Sequence, residues 1–323
     1  MNICLVSDEK FAEICTVAMV SIIKHNSNVT FYIIEDNIID DTKKTMVESI
    51  KELDQSCSMH FIHAIDIKDR FGTDFDTGIW PMACMQRLFL CELLPKEIER
   101  VLYLDCDVMV RKPLDDLYNI DFNNSFCAAV PDCTSELCRK NIGLKEKDCY
   151  FNSGVYLLNI KKWREENIKE KFIKILNSRH LFQYPDQDIL NMVFSRTNIR
   201  LDAKYNFTSY MYGYNYDELM YYHNATEYIN ENEFYSARKD PSIFHFTNDV
   251  KLVRPWYKNS NHPFLEEWLS YRRLTKWSKD ELWQPNYNFN FLIKRFIVKF
   301  FPSKTSLYLS RKVNYRNTKK YMC

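Results

Sequence analysis

One stretch constrains this chain more than any other: Val101-Leu102-Tyr103-Leu104-Asp105-Cys106-Asp107-Val108-Met109-Val110. An apolar run leads into Asp-x-Asp, and a second apolar run follows it. A short continuous apolar run is the pattern of a fully buried strand. The apolar stretch from Pro81 to Leu94 just before it reads as a helix, and a strand fed by a helix fits a parallel α/β sheet. In such sheets ligands sit beyond the carboxyl ends of the strands, where Asp105 and Asp107 stand. If the backbone stays extended there, the two side chains project to the same side.

Two carboxylates so close repel each other and need a cation. An oxygen-rich pair suits Mg²⁺ or Mn²⁺, and such an ion completes its shell with substrate phosphates. The direct reading is therefore metal-assisted chemistry on a phosphorylated substrate. The plainer reading is a polar turn after a strand, with solvated aspartates. The rest of the chain decides between them.

With 323 residues, 46% of them hydrophobic, the chain is long and apolar enough for a packed core rather than wholesale disorder. Its net charge of +1 argues against a nucleic-acid binder. The five glycines match neither a dinucleotide fingerprint nor a P-loop, so bound phosphates would fall to a metal and to cationic side chains. The eleven cysteines include no Cys-x-x-Cys pair, which leaves a zinc site unsupported and favours reduced thiols in a cytoplasmic protein. Asp8 and Glu9 occupy the place of a basic leader region, and the apolar run Ile14 to Ile23 is too short to span a bilayer.

Ile3 to Val6 reads as a strand ending in Ser7-Asp8, followed by a helix with an apolar face from Phe11 to Ile23. Val29 to Glu35 and Met59 to Ile65 are further strands, separated by a helix over Asp40 to Leu53. The Pro81–Leu94 helix carries one charge in its middle, Arg87, which either snorkels to the surface or faces the phosphates. Phe126 to Val130 is a strand ending at Pro131-Asp132, and Ser135 to Lys147 a loop or short helix. Asn152-Ser153-Gly154 turns into a buried strand, and Gln183 to Asp188 opens another helix. Tyr205 to Tyr235 has many tyrosines and little periodicity, which suggests long loops over a site. Ser242 to Phe246 is a last short strand holding His245, and His262 to Arg273 a last amphipathic helix.

The ordered set of motifs resembles glycosyltransferase family 8, which includes bacterial lipopolysaccharide galactosyl- and glucosyltransferases and the glycogenins. The stretches that carry the resemblance are Leu104-Asp105-Cys106-Asp107-Val108, Phe151-Asn152-Ser153-Gly154-Val155, Asn159-Ile160-Lys161-Lys162-Trp163, Asp186-Gln187-Asp188-Ile189-Leu190-Asn191, and His245-Phe246 with Pro255-Trp256. The resemblance implies a single-domain α/β GT-A fold over residues 1–285, Rossmann-like in its nucleotide half. It implies a UDP-sugar donor, Mn²⁺ (Mg²⁺ in its place) and a retaining transfer of galactose or glucose. By position, it makes Asp105, Asp107 and His245 the metal ligands. Val6, Asp8, Arg87 and Cys106 then line the donor site, with Asp8 on the uracil. Asp132, Asn152, Asp186 and Gln187 surround the transferred sugar. The chemistry wants these types: a metal offsets charge on the leaving diphosphate, and carboxylates and amide oxygens stabilise an oxocarbenium-like sugar.

The chain departs from the family in two places. The pattern His-x-x-Gly-x-x-Lys-Pro-Trp is stretched by three residues, so either Lys251 or Arg254 is the diphosphate cation. Lys10 stands where close relatives often carry Asn. A haloacid-dehalogenase-type phosphatase also uses Asp-x-Asp, but Met109 replaces its Thr or Val and no glycine here precedes an aspartate. Two further readings compete with a transferase acting on a separate glycan: a glycogenin-like self-glucosylating protein and a catalytically inactive glycan-binding relative.

Residues 286–323 form the last distinct region. From Asn290 onward there is no acidic residue, while Lys294, Arg295, Lys299, Arg311 and Lys312 are interleaved with bulky apolar side chains. Phe289 to Phe301 reads as a basic amphipathic segment of the kind that lies on an anionic membrane. The expected partners are thus a UDP-hexose, an oligosaccharide or lipid-linked glycan, and the inner leaflet of the cell membrane, with no nucleic acid.

Overall fold

The computed structural model describes the chain except residues 180, 226, 227, 288, 302, 322 and 323 and the side chain of residue 290. Asn288, Pro302, Met322 and Cys323 of the expected tail therefore lie outside the described residues. The strands are β1 (Asn2–Asp8), β2 (Thr30–Asp36), β3 (Ser58–His63), β4 (Arg100–Leu104), β5 (Val108–Val110), β6 (Cys127–Pro131), β7 (Phe151–Asn159), β8 (Asn198–Arg200), β9 (Phe207–Thr208) and β10 (Ile243–His245). Seven make one sheet in the order β3-β2-β1-β4-β7-β6-β8, and β5-β10-β9 make a second.

The apolar run before Asp105 is the buried strand its composition predicts. Alternate residues face opposite sides, as the period of a strand requires. Leu102 and Leu104 pack in one apolar cluster with Ile14 and Ala18, while Val101 and Tyr103 pack in another with Leu88, Phe89 and Leu190. A strand buried on both faces cannot alternate polar and apolar residues, which is why the run is continuous.

The sheet is mixed rather than all parallel. β4 has β1 as a parallel neighbour on one side and antiparallel β7 on the other. β7 is antiparallel to β6 as well. The carboxyl ends of β1, β4 and β6 therefore share an edge with the amino start of β7. That one edge carries Asp8, Asp105, Asp132 and Asn152.

Two expectations are corrected. The Pro81–Leu94 helix is a 3₁₀ helix over Met82–Phe89 followed by a single α-turn, Leu90–Leu93. Gln86 there exchanges two hydrogen bonds with the backbone of Ile65, and Arg87 turns inward instead of snorkelling. The stretch from Tyr205 to Tyr235 is not loop: it holds β9 and helices Ser209–Gly213, Tyr216–His223 and Glu231–Lys239. Asn215 and Glu218 form a capping box, and Asn230 caps the next helix through the Glu233 amide. The tyrosines that blur the periodicity serve as apolar surface, as buried Tyr214 does.

The tail is helical. Phe289–Phe300 is a helix whose Phe289, Leu292, Ile293, Phe296 and Phe300 are exposed at helical spacing. Ser303–Lys319 is a second helix, which buries Leu307, Ser306 and Thr318 against the body.

The Ala12–Ile23 helix is buried on almost every side, not on one face, because β5 and the Leu265–Arg272 helix cover what would be its outer surface. Its one acid, Glu13, accepts from Arg272 Nε at 2.6 Å and from Trp283 Nε1 at 3.1 Å. Arg272→Met should destabilise the protein by about 3–5 kcal/mol in denaturant unfolding, because a carboxylate is left buried without its partner. Adding Glu13→Leu should recover most of that loss.

Candidate active site

The backbone turns at Asp105, so the Asp-x-Asp is not one extended strand. The two carboxylates nevertheless converge, because β5 leaves the turn and pairs with β10, which ends at His245. His245 Nε2 lies 3.1 Å from Asp107 Oδ1 and 3.7 Å from Asp105 Oδ2. Single donor atoms of the three residues all fall within 4.8 Å of one another. Pairing of His245 with Val108 is what closes a separation of 138 residues in sequence.

The other imidazole nitrogen settles the chemistry. His245 Nδ1 is 3.0 Å from Asn206 Oδ1, an acceptor, so the ring donates there and turns its Nε2 to the carboxylates. An imidazole lone pair facing two carboxylates is repulsive without a cation or a proton between them. Burial works against a charged His245, yet the Asp107 and Asp105 charges outweigh it and raise its pKa above the ordinary range. Burial, joined by repulsion from Asp107 and Asp186, raises Asp105 despite Arg87 and His245. For Asp107 burial loses: His245 and Arg254 hold it below the usual carboxylate range. A divalent cation fits this donor set of two carboxylates and one imidazole. Gly154 leaves the space for it, since a Cβ there would stand 2.3 Å from His245 Cε1 and 2.7 Å from Asp105 Oδ2.

Arg87 is a buried fastener. Its guanidinium donates to Asp105 Oδ1 at 2.7 Å and to the Ser153 carbonyl at 2.9 Å, and pairs with Asp186 Oδ2 at 3.1 Å. Its face covers the Tyr103 ring, and the Tyr103 hydroxyl donates to the same Asp105 oxygen at 3.0 Å. One side chain thereby joins β4, β7 and the Pro185–Phe194 helix.

A second polar chain leads away from His245. Asn206 Nδ2 donates to Asn152 Oδ1 at 2.8 Å, and Asn152 Nδ2 donates to Asp132 Oδ2 at 3.2 Å. Gln187 Nε2 donates to the same Asp132 oxygen at 2.9 Å, while Gln187 Oε1 accepts from the Ser153 amide at 3.0 Å. Tyr210 donates its hydroxyl to Asp132 Oδ1. Asp132, Asn152, Asp186 and Gln187 are therefore brought together. Asp186 and Gln187 are nearly buried in the first turn of their helix, where Pro185 opens it.

The remaining residues lie around this centre. Asp8 accepts from the Phe11 amide at 2.8 Å, closing the turn before the first helix, whose N-cap position is Phe11 and carries no side-chain cap. The Cys106 thiol donates to the Val6 carbonyl at 3.0 Å, stitching the Asp-x-Asp turn to β1. Arg254 Nη2 donates to Asp107 Oδ2 at 3.1 Å. Lys251 instead donates to the Gly213 carbonyl at 2.8 Å and covers the Tyr214 ring. Sequence reasoning missed Asn206, Tyr210 and Tyr103. Asn206 offers no local signal, because its role exists only where β9 lies beside β10.

The mixed α/β sheet with Asp-x-Asp at its ligand edge matches the GT-A fold, and the family match makes the chain a nucleotide-sugar-dependent glycosyltransferase. The chain belongs to glycosyl transferase family 8, whose family model matches residues 2–260. General stress protein A of Bacillus subtilis is 25% identical over 86% of this chain and 95% of its own length. A putative glycosyltransferase of Haemophilus influenzae is 34% identical over 64% of this chain and 63% of its own. The lipopolysaccharide 1,2-glucosyltransferase of Escherichia coli is 25% identical over 84% of this chain and 77% of its own. The crystal structure of the galactosyltransferase LgtC with donor and acceptor sugar analogs has a TM-score of 0.70 at 22% identity, covering 85% of this chain and 96% of that one.

Gly154→Ala puts a methyl group into the His245 and Asp105 side chains. Isothermal titration with Mn²⁺ should show at least a tenfold loss of affinity, with the fold retained by circular dichroism at an overpacking cost of about 1–3 kcal/mol. Unchanged Mn²⁺ affinity would mean that the ion does not sit between those side chains.

Proposed function

We propose that this chain moves a hexose, galactose or glucose, from a UDP-sugar to a cell-surface glycan such as a lipopolysaccharide core or another lipid-linked oligosaccharide. The transfer retains the anomeric configuration and depends on Mn²⁺. The observation that carries this reading is the Asp105-Asp107-His245 cluster, wired through Asn206 and Asn152 to Asp132 and Gln187. Similarity to a lipopolysaccharide glucosyltransferase and to a galactosyltransferase supports the same class.

A bound divalent ion would neutralise the charge that builds on the departing diphosphate. Everything else is assigned to side chains of this protein. Arg254 is the diphosphate cation of choice, since it stands at Asp107 with its Nε held by the Phe246 carbonyl at 2.7 Å. The position of Lys251 against Tyr214 disfavours it for that role. Asp8, Val6 and Cys106 border the uridine side, with Asp8 as the uracil partner. Asp132, Asp186, Asn152 and Gln187 face the sugar, where fixed oxygens stabilise an oxocarbenium-like carbon. Their mutual hydrogen bonds hold them in place before substrate arrives, so little reorganisation is needed at the moment of reaction. The network also explains why Arg87 need not reach the donor: it fixes Asp105 and Asp186 instead.

Hydrolysis of UDP-galactose and UDP-glucose in Mn²⁺ tests this directly. UDP release should require the metal and should fall at least a hundredfold in Asp107→Asn, with the fold retained by circular dichroism. Gln187→Ala should lower kcat far more than donor affinity, because the charge it stabilises exists mainly in the transition state. Near-normal turnover in excess chelator, or a β-linked product from an α-donor by NMR, would refute the reading.

The tail belongs to the same proposal. No helix among the described residues is long and apolar enough to cross a membrane. The Phe289–Phe300 helix instead exposes an apolar stripe beside Lys294, Arg295 and Lys299. Such a face rests in the headgroup region of an anionic leaflet, each cation adding about 1 kcal/mol. This would hold a cytoplasmic enzyme at the inner leaflet, where a lipid-linked acceptor is presented. Full-length protein should co-sediment with phosphatidylserine vesicles and be released as salt rises. The variant Phe296→Ser with Phe300→Ser should lose vesicle binding and keep UDP-sugar hydrolysis; equal binding by both proteins would remove the tail from this role.

A further inference from the structure

The second tail helix does more than end the chain. Ser303–Lys319 lies across Tyr216–His223 and the short Glu136–Asn141 helix, and the three enclose a cleft of about 630 Å³. That volume falls within the range of about 300–1,000 Å³ that small-molecule sites occupy. Its wall is made of tyrosines: Tyr221, Tyr308 and Tyr315 line it and are 41%, 47% and 52% exposed. Each ring has a cation over one face and still leaves 41–52% of its residue surface open to the concave side. An aromatic face with a polar tip suits a sugar, which has an apolar face and a rim of hydroxyls.

The charges of the cleft are unbalanced. Among the described residues, Lys140, Arg311 and Lys312 line it, against the acid Glu136. Glu136 is already paired with Lys140 one helical turn away, so no acid of the described lining neutralises Arg311 and Lys312. Arg311 donates to Asn224 and lies over the Tyr221 ring, while Lys312 lies over Tyr308. Cations stacked on exposed rings are held in position and still present donors to an anion.

The inner wall adds a further polar group. His223 lines the cleft, and its buried Nε2 has no hydrogen-bond partner among the described residues. Burial holds this imidazole well below its ordinary pKa, at about 4, so it is neutral at physiological pH. A neutral ring nitrogen accepts or donates one hydrogen bond to a hydroxyl. His223 packs against Tyr210 with 5.7 Å between ring centres, and Tyr210 donates to Asp132. One aromatic ring thus separates this cleft from the sugar-transfer centre.

We propose that the cleft between the Ser303–Lys319, Tyr216–His223 and Glu136–Asn141 helices is a second glycan subsite, which takes a sugar bearing a phosphate group. The tyrosines hold the sugar faces, and Arg311 and Lys312 take the phosphate. Resting on the transferase reading above, the subsite holds a distal part of the acceptor while the residue to be glycosylated sits beside Asp132. It makes the tail helix part of acceptor recognition, a role separate from the membrane face of the helix before it.

Full-length protein without donor or metal is titrated with glucose 6-phosphate, glucose, inorganic phosphate and glycerol 3-phosphate, read by protein-observed NMR shifts. Glucose 6-phosphate should bind at least tenfold more tightly than each of the other three. Arg311→Glu and Tyr221→Ala should each weaken it at least tenfold while leaving metal-dependent UDP-sugar hydrolysis unchanged. Lys312→Glu, at an exposed position, repeats the charge test if Arg311→Glu does not fold. Equal affinity for inorganic phosphate would show a simple anion site, and equal affinity for glycerol 3-phosphate a lipid headgroup site; either overturns the proposal. So does glucose 6-phosphate binding that survives both charge reversals, or no binding at all. Because this titration needs no donor, a protein that binds glucose 6-phosphate but never releases UDP would refute the transferase reading and not the cleft.

Discussion

The buried guanidinium of Arg87 is the interaction on which the rest of the site depends. It is 6% exposed, and each end of its fork is occupied. A buried cation is tolerated only when it is paired and fully hydrogen-bonded, and here two carboxylates and two carbonyl oxygens meet that need. The consequence is geometric. Asp105 at the end of β4, Ser153 at the start of β7 and Asp186 at the start of a helix can occupy only one mutual arrangement. The reversal of β7 makes this possible, because it brings a strand beginning to the edge where strand ends collect.

From that fixed point two functions diverge. One oxygen of Asp105 is spent on Arg87 and Tyr103, which leaves the other facing His245 and Asp107. Asp186, on the far side of the same guanidinium, faces the region of Gln187 and Asp132. The Asp105 end and the Asp186 end of the site are thereby held at a set separation by one side chain. The Asn206–Asn152–Asp132 relay runs parallel to it and carries the tautomer of His245 into the same frame. Gly154 sits between the two, where no side chain fits.

The C-terminal helices extend this arrangement outward. The first presents apolar side chains to solvent, and the second returns to the body beside the Tyr210–Asp132 contact. The proposed membrane face and the proposed glycan cleft, on successive helices, would let one segment both approach the leaflet and grip what the leaflet presents. The tyrosine-rich segment before β10 serves both ends: Tyr210 buttresses Asp132, Tyr214 receives Lys251, and Tyr221 lines the cleft.

Much was legible in the sequence. The continuous apolar run before Asp105 requires a doubly covered strand, and motifs in a fixed order point to one family and to the identities of Asp105, Asp107, His245, Asp132, Asn152, Asp186 and Gln187. Capping signals at Asn215 and Asn230 were present too, although the tyrosines around them obscured the helices. Local pattern reports which residues are buried and which side chains can carry charge. It does not report partners distant in the chain. That Arg87 points inward, that Asn206 sets the His245 ring, that Arg254 rather than Lys251 meets Asp107, and that the last helix folds back over Tyr221 were decided only by the tertiary structure. Each depends on strands and helices far apart in sequence being packed side by side, where burial makes an unpaired charge or polar atom costly.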